Sequence, residues 1–148
     1  MKPVIHAGAA SIAMLCILGF WTSTAVSELF LATGAIVAVK RAILQGMWVL
    51  IPAMAITGGS GFSLASGRSG RLVEAKKKRM PIIALNGLVI MVPSAFFLAH
   101  KATAGEFDTV FYSVRALELT VGCIQLALMG LNFRDGLKLA GRLRPAQS

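Results

Sequence analysis

Four long apolar segments constrain this chain more than any other feature. They cover about residues 5–33, 41–66, 80–99 and 109–133 of the 148 residues. The break between the first two lies either at the charged pair Lys40 and Arg41 or at a turn near Thr33 and Gly34. Each segment is about as long as, or longer than, the roughly 20 residues that an α-helix needs to cross a ~30 Å hydrocarbon core. The connections between them are too short to build a separate domain. We therefore predict a single all-α domain, an integral membrane four-helix bundle.

The composition supports a chain whose surface faces lipid. Hydrophobic residues make up 56% of the sequence and charged residues only 14%, against about 25% charged residues in ordinary soluble domains. The apolar run at the N-terminus continues to Ala38, and no polar mature domain follows it. A secretory signal peptide has a shorter core, so we interpret this segment as a retained first span.

The net charge of +9 and the pI near 10.4 raise the question of nucleic-acid binding. The sequence contains neither a nucleic-acid fold signature nor a basic surface interleaved with aromatic residues. Positive residues collect in the cytoplasmic segments of membrane proteins, which explains the charge without nucleic acid. We expect no nucleic-acid partner.

The distribution of Lys and Arg predicts the orientation. Eleven of the fifteen lie in the N-terminal segment, in a basic loop at 67–79 and in a tail at 134–148. Four spans place these three segments on one side of the membrane, so the positive-inside rule predicts that both termini are cytoplasmic. This charge pattern is typical of a multi-pass protein of a bacterial-type inner membrane.

The basic loop ends in a run of four cations. Such clusters attract anionic lipid head groups, and this hypothesis assigns head-group contacts to Lys76, Lys77, Lys78 and Arg79. The alternative is that the run only fixes the topology, as every polytopic protein requires.

Charged residues near the other side of the membrane form a predicted outer polar cluster. The topology brings Glu28, His100, Arg115 and Glu118 from three spans to a similar depth. In a low dielectric, opposing charges shift pKa values, so one hypothesis is that the cluster handles protons or cations. The alternative is an interhelical salt-bridge network that fixes the packing.

A polar stripe marks the fourth span. Glu118, Gln125 and Asn132 are spaced by seven residues, so they share one face of a helix. Polar side chains at this depth need protein partners, which predicts that the stripe faces the other helices rather than lipid.

Histidine and cysteine offer little for a cofactor. His6, Cys16 and His100 have no metal-ligand spacing on one face, and Cys16 and Cys123 are interpreted as small apolar fillers. Haem b takes axial imidazoles in helical bundles, but His6 and His100 are predicted about a bilayer thickness apart. One of them would need a different second ligand, such as a methionine, and we predict no cofactor.

No arrangement typical of a hydrolase or metalloprotease is present, so the sequence gives no reason to expect an enzyme. Three functional hypotheses remain open. The first is an accessory or assembly component of a membrane complex, with the lipid bilayer and other membrane proteins or further copies of itself as partners. The second is a small proton- or cation-coupled transporter or channel unit, and the third is an electron carrier with haem b.

Overall fold

A computed structural model describes residues 2–141 of the chain, which form four antiparallel spans without a strand. Each span is long and apolar enough to cross a membrane, so the predicted all-α, four-span fold is confirmed. The elements are α1 (Lys2–Phe30), α2 (Thr33–Ala65), α3 (Arg71–Leu85), a π-helical segment (Asn86–Met91), α4 (Val92–Ala104) and α5 (Thr109–Leu139). The third span consists of α3, the π-helical segment and α4.

The first two spans meet earlier in the chain than the sequence analysis placed them. α1 ends at Phe30 and α2 begins at Thr33, after the extended Ala32. The turn therefore lies close to the alternative near Thr33 and Gly34, and the charged pair Lys40 and Arg41 lies inside α2. A helix can hold a lysine at this depth only if the bundle supplies counter-charges.

The predicted basic loop at 67–79 is also mostly helical. The connection is confined to residues 66–70, where Gly67 and Gly70 have positive φ angles of 73° and 129°. The run that follows consists largely of Lys, Arg, Ala and Glu, which are strong helix formers. At the other end of the chain, α5 continues beyond the predicted limit at 133 to Leu139. Residues 142–148 of the predicted tail, with Arg142 and Arg144, lie outside the described residues.

The third span widens where a proline follows. Its π-helical turn ends at Met91, and the N–H of Val92 bonds to the carbonyl of Gly87, five residues back. Pro93 has no N–H, and its ring would clash with the preceding turn of a regular α-helix. A π-turn separates the ring from that turn and is a recognised cause of helix distortion.

The spans form a square in cross-section. Backbone contacts within 8 Å join α1 to α2 and α5, and the third span to α2 and α5. Within residues 2–141, no such contacts join α2 to α5 or α1 to the third span, so these pairs lie on the diagonals. The core between the spans contains Ile17, Met47 and Leu50, whereas large apolar side chains such as Trp48 and Phe62 are exposed on the outside.

The two ends of the bundle differ in their connections. The basic end carries the 66–70 connection, the start of α3 and the end of α5. The opposite end carries the two shorter connections, residues 31–32 and 105–108, and is called the two-loop end below.

Candidate functional site

A lysine lies at the centre of the bundle near the two-loop end. Lys40, on α2, is 1% exposed, and its Nζ lies 2.7 Å from Oε2 of Glu118 on α5. The same ammonium lies 3.4 Å from Oε1 of Glu28 and 3.4 Å from the hydroxyl of Thr24, both on α1. Since α2 and α5 are diagonal neighbours, the long lysine side chain bridges helices whose backbones do not touch.

A second cation completes the group. Nε of Arg115, on α5, forms an ion pair with Oε2 of Glu28, and its guanidinium also lies 5.0 Å from the ring centroid of Tyr112. Two cations and two carboxylates thus form a neutral network across three helices, which we call the charged tetrad: Glu28, Lys40, Arg115 and Glu118.

The tetrad is several ångströms inside the bundle. A rise of 1.5 Å per residue places Lys40 about 10 Å below the start of α2 and Glu118 about 13 Å below the start of α5. Glu28 and Lys40 have side chains only 1% exposed, while Arg115 is 23% exposed and reaches toward the surface. Charges at this depth are costly unless they are paired, and here each has an opposite charge beside it.

The predicted outer cluster and this tetrad share three residues. The structure brings Glu28, Arg115 and Glu118 together, but His100 lies on an exposed face of α4 and makes no ion pair or hydrogen bond to another described residue. Lys40 takes the place that the cluster hypothesis gave to His100. The physical reason is helix geometry: Leu98, Ala99 and Ala102 form the inward face of α4, and a rotation of about 100° per residue places His100 on the opposite face.

The polar stripe of α5 faces the other helices, and each of its residues contacts a different partner residue. Glu118 contacts Lys40 of α2, and Nε2 of the fully buried Gln125 donates to the carbonyl of Ile83, 2.9 Å away in α3. Asn132 Oδ1 accepts a 3.4 Å hydrogen bond from Arg79. The three residues therefore form three separate interhelical contacts along α5 rather than one continuous hydrogen-bonded network.

Apolar groups separate these interhelical contacts. Between Glu118 and Gln125, Gly122 lies against the Trp21 ring and the Met91 methyl group. The indole N–H of Trp21 donates to the carbonyl of Leu119, 2.9 Å away, and is therefore occupied. A hydrogen-bonded relay along the stripe is interrupted at this layer.

A second charged group lies at the basic end. Asp135 of α5 is 2% exposed, and its Oδ2 accepts a 2.7 Å hydrogen bond from Arg79 of α3. Asp135 lies in the predicted tail at 134–148, for which the sequence indicated no site residue. Its position three residues after Asn132, on the same face of the continued helix, is the signal that would have included it.

The four predicted head-group residues point in different directions. Arg79 turns inward to Asp135, and Lys76 is half-buried against α5. Lys77 donates to Glu74 and to the carbonyl of Arg68, and Lys78 is exposed. The run is thus a helical segment with one inward and one outward face.

His6 lies at the basic end as well. Its Nδ1 is 3.1 Å from the carbonyl oxygen of Thr57 and 3.0 Å from the hydroxyl of Ser60. A carbonyl oxygen only accepts, so Nδ1 carries the proton and Nε2 is left free. His100 is at the two-loop end, almost the length of a span away, so the two histidines do not face one haem. Within residues 2–141, no group of three His, Cys, Asp or Glu side chains forms a metal-binding cluster.

The surface of the described region includes an apolar groove and a smaller cavity at the basic end. An open groove of about 450 Å³ between α1 and α2 is lined mainly by apolar residues, among them Leu15, Phe20 and Ile43. A smaller cavity of about 240 Å³ lies beside Arg71 and Leu139 at the basic end. Neither is lined by a member of the charged tetrad.

Comparison of the chain with protein-family models, with known proteins and with solved structures found no match.

Proposed function

We propose that this protein is an accessory or assembly component of a membrane complex, with no catalysis of its own. The observation that carries the proposal is the charged tetrad. Its two cations and two carboxylates neutralise one another inside the bundle, and neither cavity reaches them. Charges that are paired in this way hold the three helices in one packing arrangement.

The outer surface supports the same proposal. The spans end in short connections, so lateral helix faces are what the protein offers to partners. Trp48 is 84% exposed and Phe62 is 79% exposed, both on α2. Lipid covers such faces equally well, so the test must detect a protein neighbour.

Site-specific crosslinking in native membranes tests this role. A photoreactive amino acid at position 48 or 62, on the exposed face of α2, is expected to capture a partner protein reproducibly. The same probe at exposed Leu88 or Val89 of the third span is the matched control for a different face. Capture of one protein from α2 alone supports an accessory role, and capture of lipid only at every position contradicts it.

We further propose that the protein lies in a bacterial-type inner membrane with both termini cytoplasmic. The charge distribution supports this orientation, because the basic end holds most of the cations. A membrane-impermeant maleimide applied to intact spheroplasts is expected to label Ala104→Cys at the two-loop end but not Ser69→Cys at the basic end. The native Cys16 and Cys123 are replaced by serine in both variants, and the reversed labelling pattern would refute the orientation.

A proton- or cation-coupled transporter is the second candidate. The favouring observation is a titratable pair, Lys40 and Glu118, buried 2.7 Å apart in the centre of the bundle. Flux into proteoliposomes decides between the candidates. An accessory protein gives flux at the level of empty vesicles, whereas a transporter gives flux that Glu118→Gln abolishes while the protein remains folded.

A further inference from the structure

The basic end contains more positive charge than its own carboxylate can neutralise. Four cations act electrostatically on Asp135, which is the buried carboxylate of this group. They are Lys76, Arg79, Arg134 and Lys138. Arg79 approaches Asp135 to 2.7 Å and Arg134 to 3.6 Å, so a surplus of three charges remains at this place.

Lys76 is the cation that the protein leaves without a partner. It is half-buried, yet it forms no hydrogen bond and no ion pair with any residue in the described range 2–141. Its ammonium crosses α5 at Gly136, where an added Cβ would lie 3.4 Å from Nζ. Glycine thus leaves the space in which this ammonium rests between the helices. A partly desolvated cation without a direct ion pair is costly.

His6 adds a polar group to the same place. It is close enough to Lys76 for the two groups to interact electrostatically, and its Cε1 borders Gly61 of α2. Because Nδ1 is held by Thr57 and Ser60, the orientation of the ring is fixed. Nε2 can donate to an anionic ligand once the imidazole is protonated, and the negative charge of that ligand favours the protonated form. Groups from α1, α3 and α5 therefore converge here.

The depth of this place matches lipid head groups. The apolar part of the third span begins at about Met80, and Lys76 precedes it by one helical turn, about 6 Å. The head-group region on each side of a bilayer is about 5–8 Å thick. Basic pockets between membrane helices bind anionic lipid head groups.

We propose that Lys76, with His6 beside it, forms a binding site for the phosphate of an anionic phospholipid between α1, α3 and α5. The phosphodiester would supply the negative charge that Asp135 does not. Its acyl chains would extend along the apolar part of the bundle, which free phosphate lacks. The site is independent of the proposed accessory role, since it involves none of the exposed α2 residues.

Lipid retention by the purified full-length chain tests the proposal. The protein is titrated with phosphatidylglycerol or phosphatidylcholine in detergent, and bound lipid is counted by native mass spectrometry. We expect preferential retention of phosphatidylglycerol, and Lys76→Gln should weaken it about fivefold or more, as expected for the loss of about one charge contact.

Lys78→Gln is the matched control, because it removes the same charge from the exposed face of the same helix. It should change retention by less than about twofold, the smaller effect expected of a screened surface charge. Lys76→Arg should retain the lipid, which separates loss of the site from loss of the fold. Equal weakening by Lys76→Gln and Lys78→Gln would overturn the proposal, since it would indicate attraction to a general basic surface. Displacement of the lipid by millimolar inorganic phosphate would overturn the assignment to a lipid.

Discussion

The two ends of the bundle differ in how their buried charges are balanced. At the two-loop end, Lys40 and Arg115 are balanced by Glu28 and Glu118, and the group is neutral. At the basic end, Asp135 is surrounded by several cations, and half-buried Lys76 forms no direct ion pair within residues 2–141. A neutral group needs nothing from outside, whereas a group with surplus charge can attract a ligand. We therefore propose a structural role for the first group and a binding role for the second.

Lys40→Met is the substitution with the largest expected effect. It retains the length of the side chain but leaves two carboxylates facing a single arginine. Breaking a buried ion pair by removing one partner costs about 3–5 kcal/mol, and we expect the free energy of unfolding in mixed micelles to fall by that amount. Arg41→Met is the control, because Arg41 is the exposed neighbour on the same helix. An equal loss in both variants would mean that the tetrad adds nothing specific.

Asp135→Asn tests whether a buried charge at the basic end contributes less to stability than Lys40 does at the two-loop end. It removes the negative charge of the group that accepts from Arg79, but Arg79 also donates to Asn132, is 24% exposed and can turn toward water. We expect a loss of about 2 kcal/mol, typical of a hydrogen bond to a charged group. Glu74→Gln, which breaks an exposed pair with Lys77 at the same end, should cost at most about 0.5 kcal/mol. A cost for Asp135→Asn above that of Lys40→Met would reverse the comparison.

Gln125→Leu tests the hydrogen bond that joins α5 to α3 at a level between the two ends. The substitution removes the bond from Nε2 to the carbonyl of Ile83, while Oε1 has no hydrogen-bond partner in the described part of the chain. Interhelical hydrogen bonds in membrane proteins average about 0.6 kcal/mol, so we expect a destabilisation below about 1 kcal/mol by the same unfolding assay. A loss comparable to that of Lys40→Met would show that the middle of α5, and not its ends, determines the packing.

The 105–108 connection should give the smallest effect, visible as a pH dependence. Lys101 and the backbone N–H of Phe111 donate to Asp108 and hold the pKa of its carboxyl below the ordinary value. A carboxyl whose pKa is lower in the folded state stabilises the protein above its unfolded pKa, near 3.9, and this contribution is lost as the pH falls through the folded value. Asp108→Asn should therefore reduce the acid-side slope of stability against pH. An unchanged slope would show that the bond is not maintained in solution.

The sequence predicted the fold well because length and hydrophobicity decide it. Four apolar segments cross the bilayer whatever their exact limits, and both Glu118 and Gln125 could be assigned an inward face from their spacing alone. Such spacing follows from one helix and needs no knowledge of its neighbours.

The site was less predictable because a single residue can serve either as a boundary or as a core group. Lys40 was interpreted as a break between spans, and only the placement of the turn at residues 31–32 puts it seven residues inside α2. His100 has a similar depth to the tetrad but faces outward, which depends on the rotation of α4 after the π-helical turn. Neither the location of a turn nor the rotation of a helix follows from local hydrophobicity.

A double-mutant cycle on Lys40 and Glu118 tests the central claim most directly. Lys40→Met and Glu118→Gln each leave the tetrad with an unbalanced charge, but the double variant leaves the neutral pair of Glu28 and Arg115. If the tetrad is a structural network, the double variant should lose less stability than the sum of the single variants, by about 0.5–3 kcal/mol. Additive losses would contradict the account, because they would mean that the two buried charges do not stabilise each other.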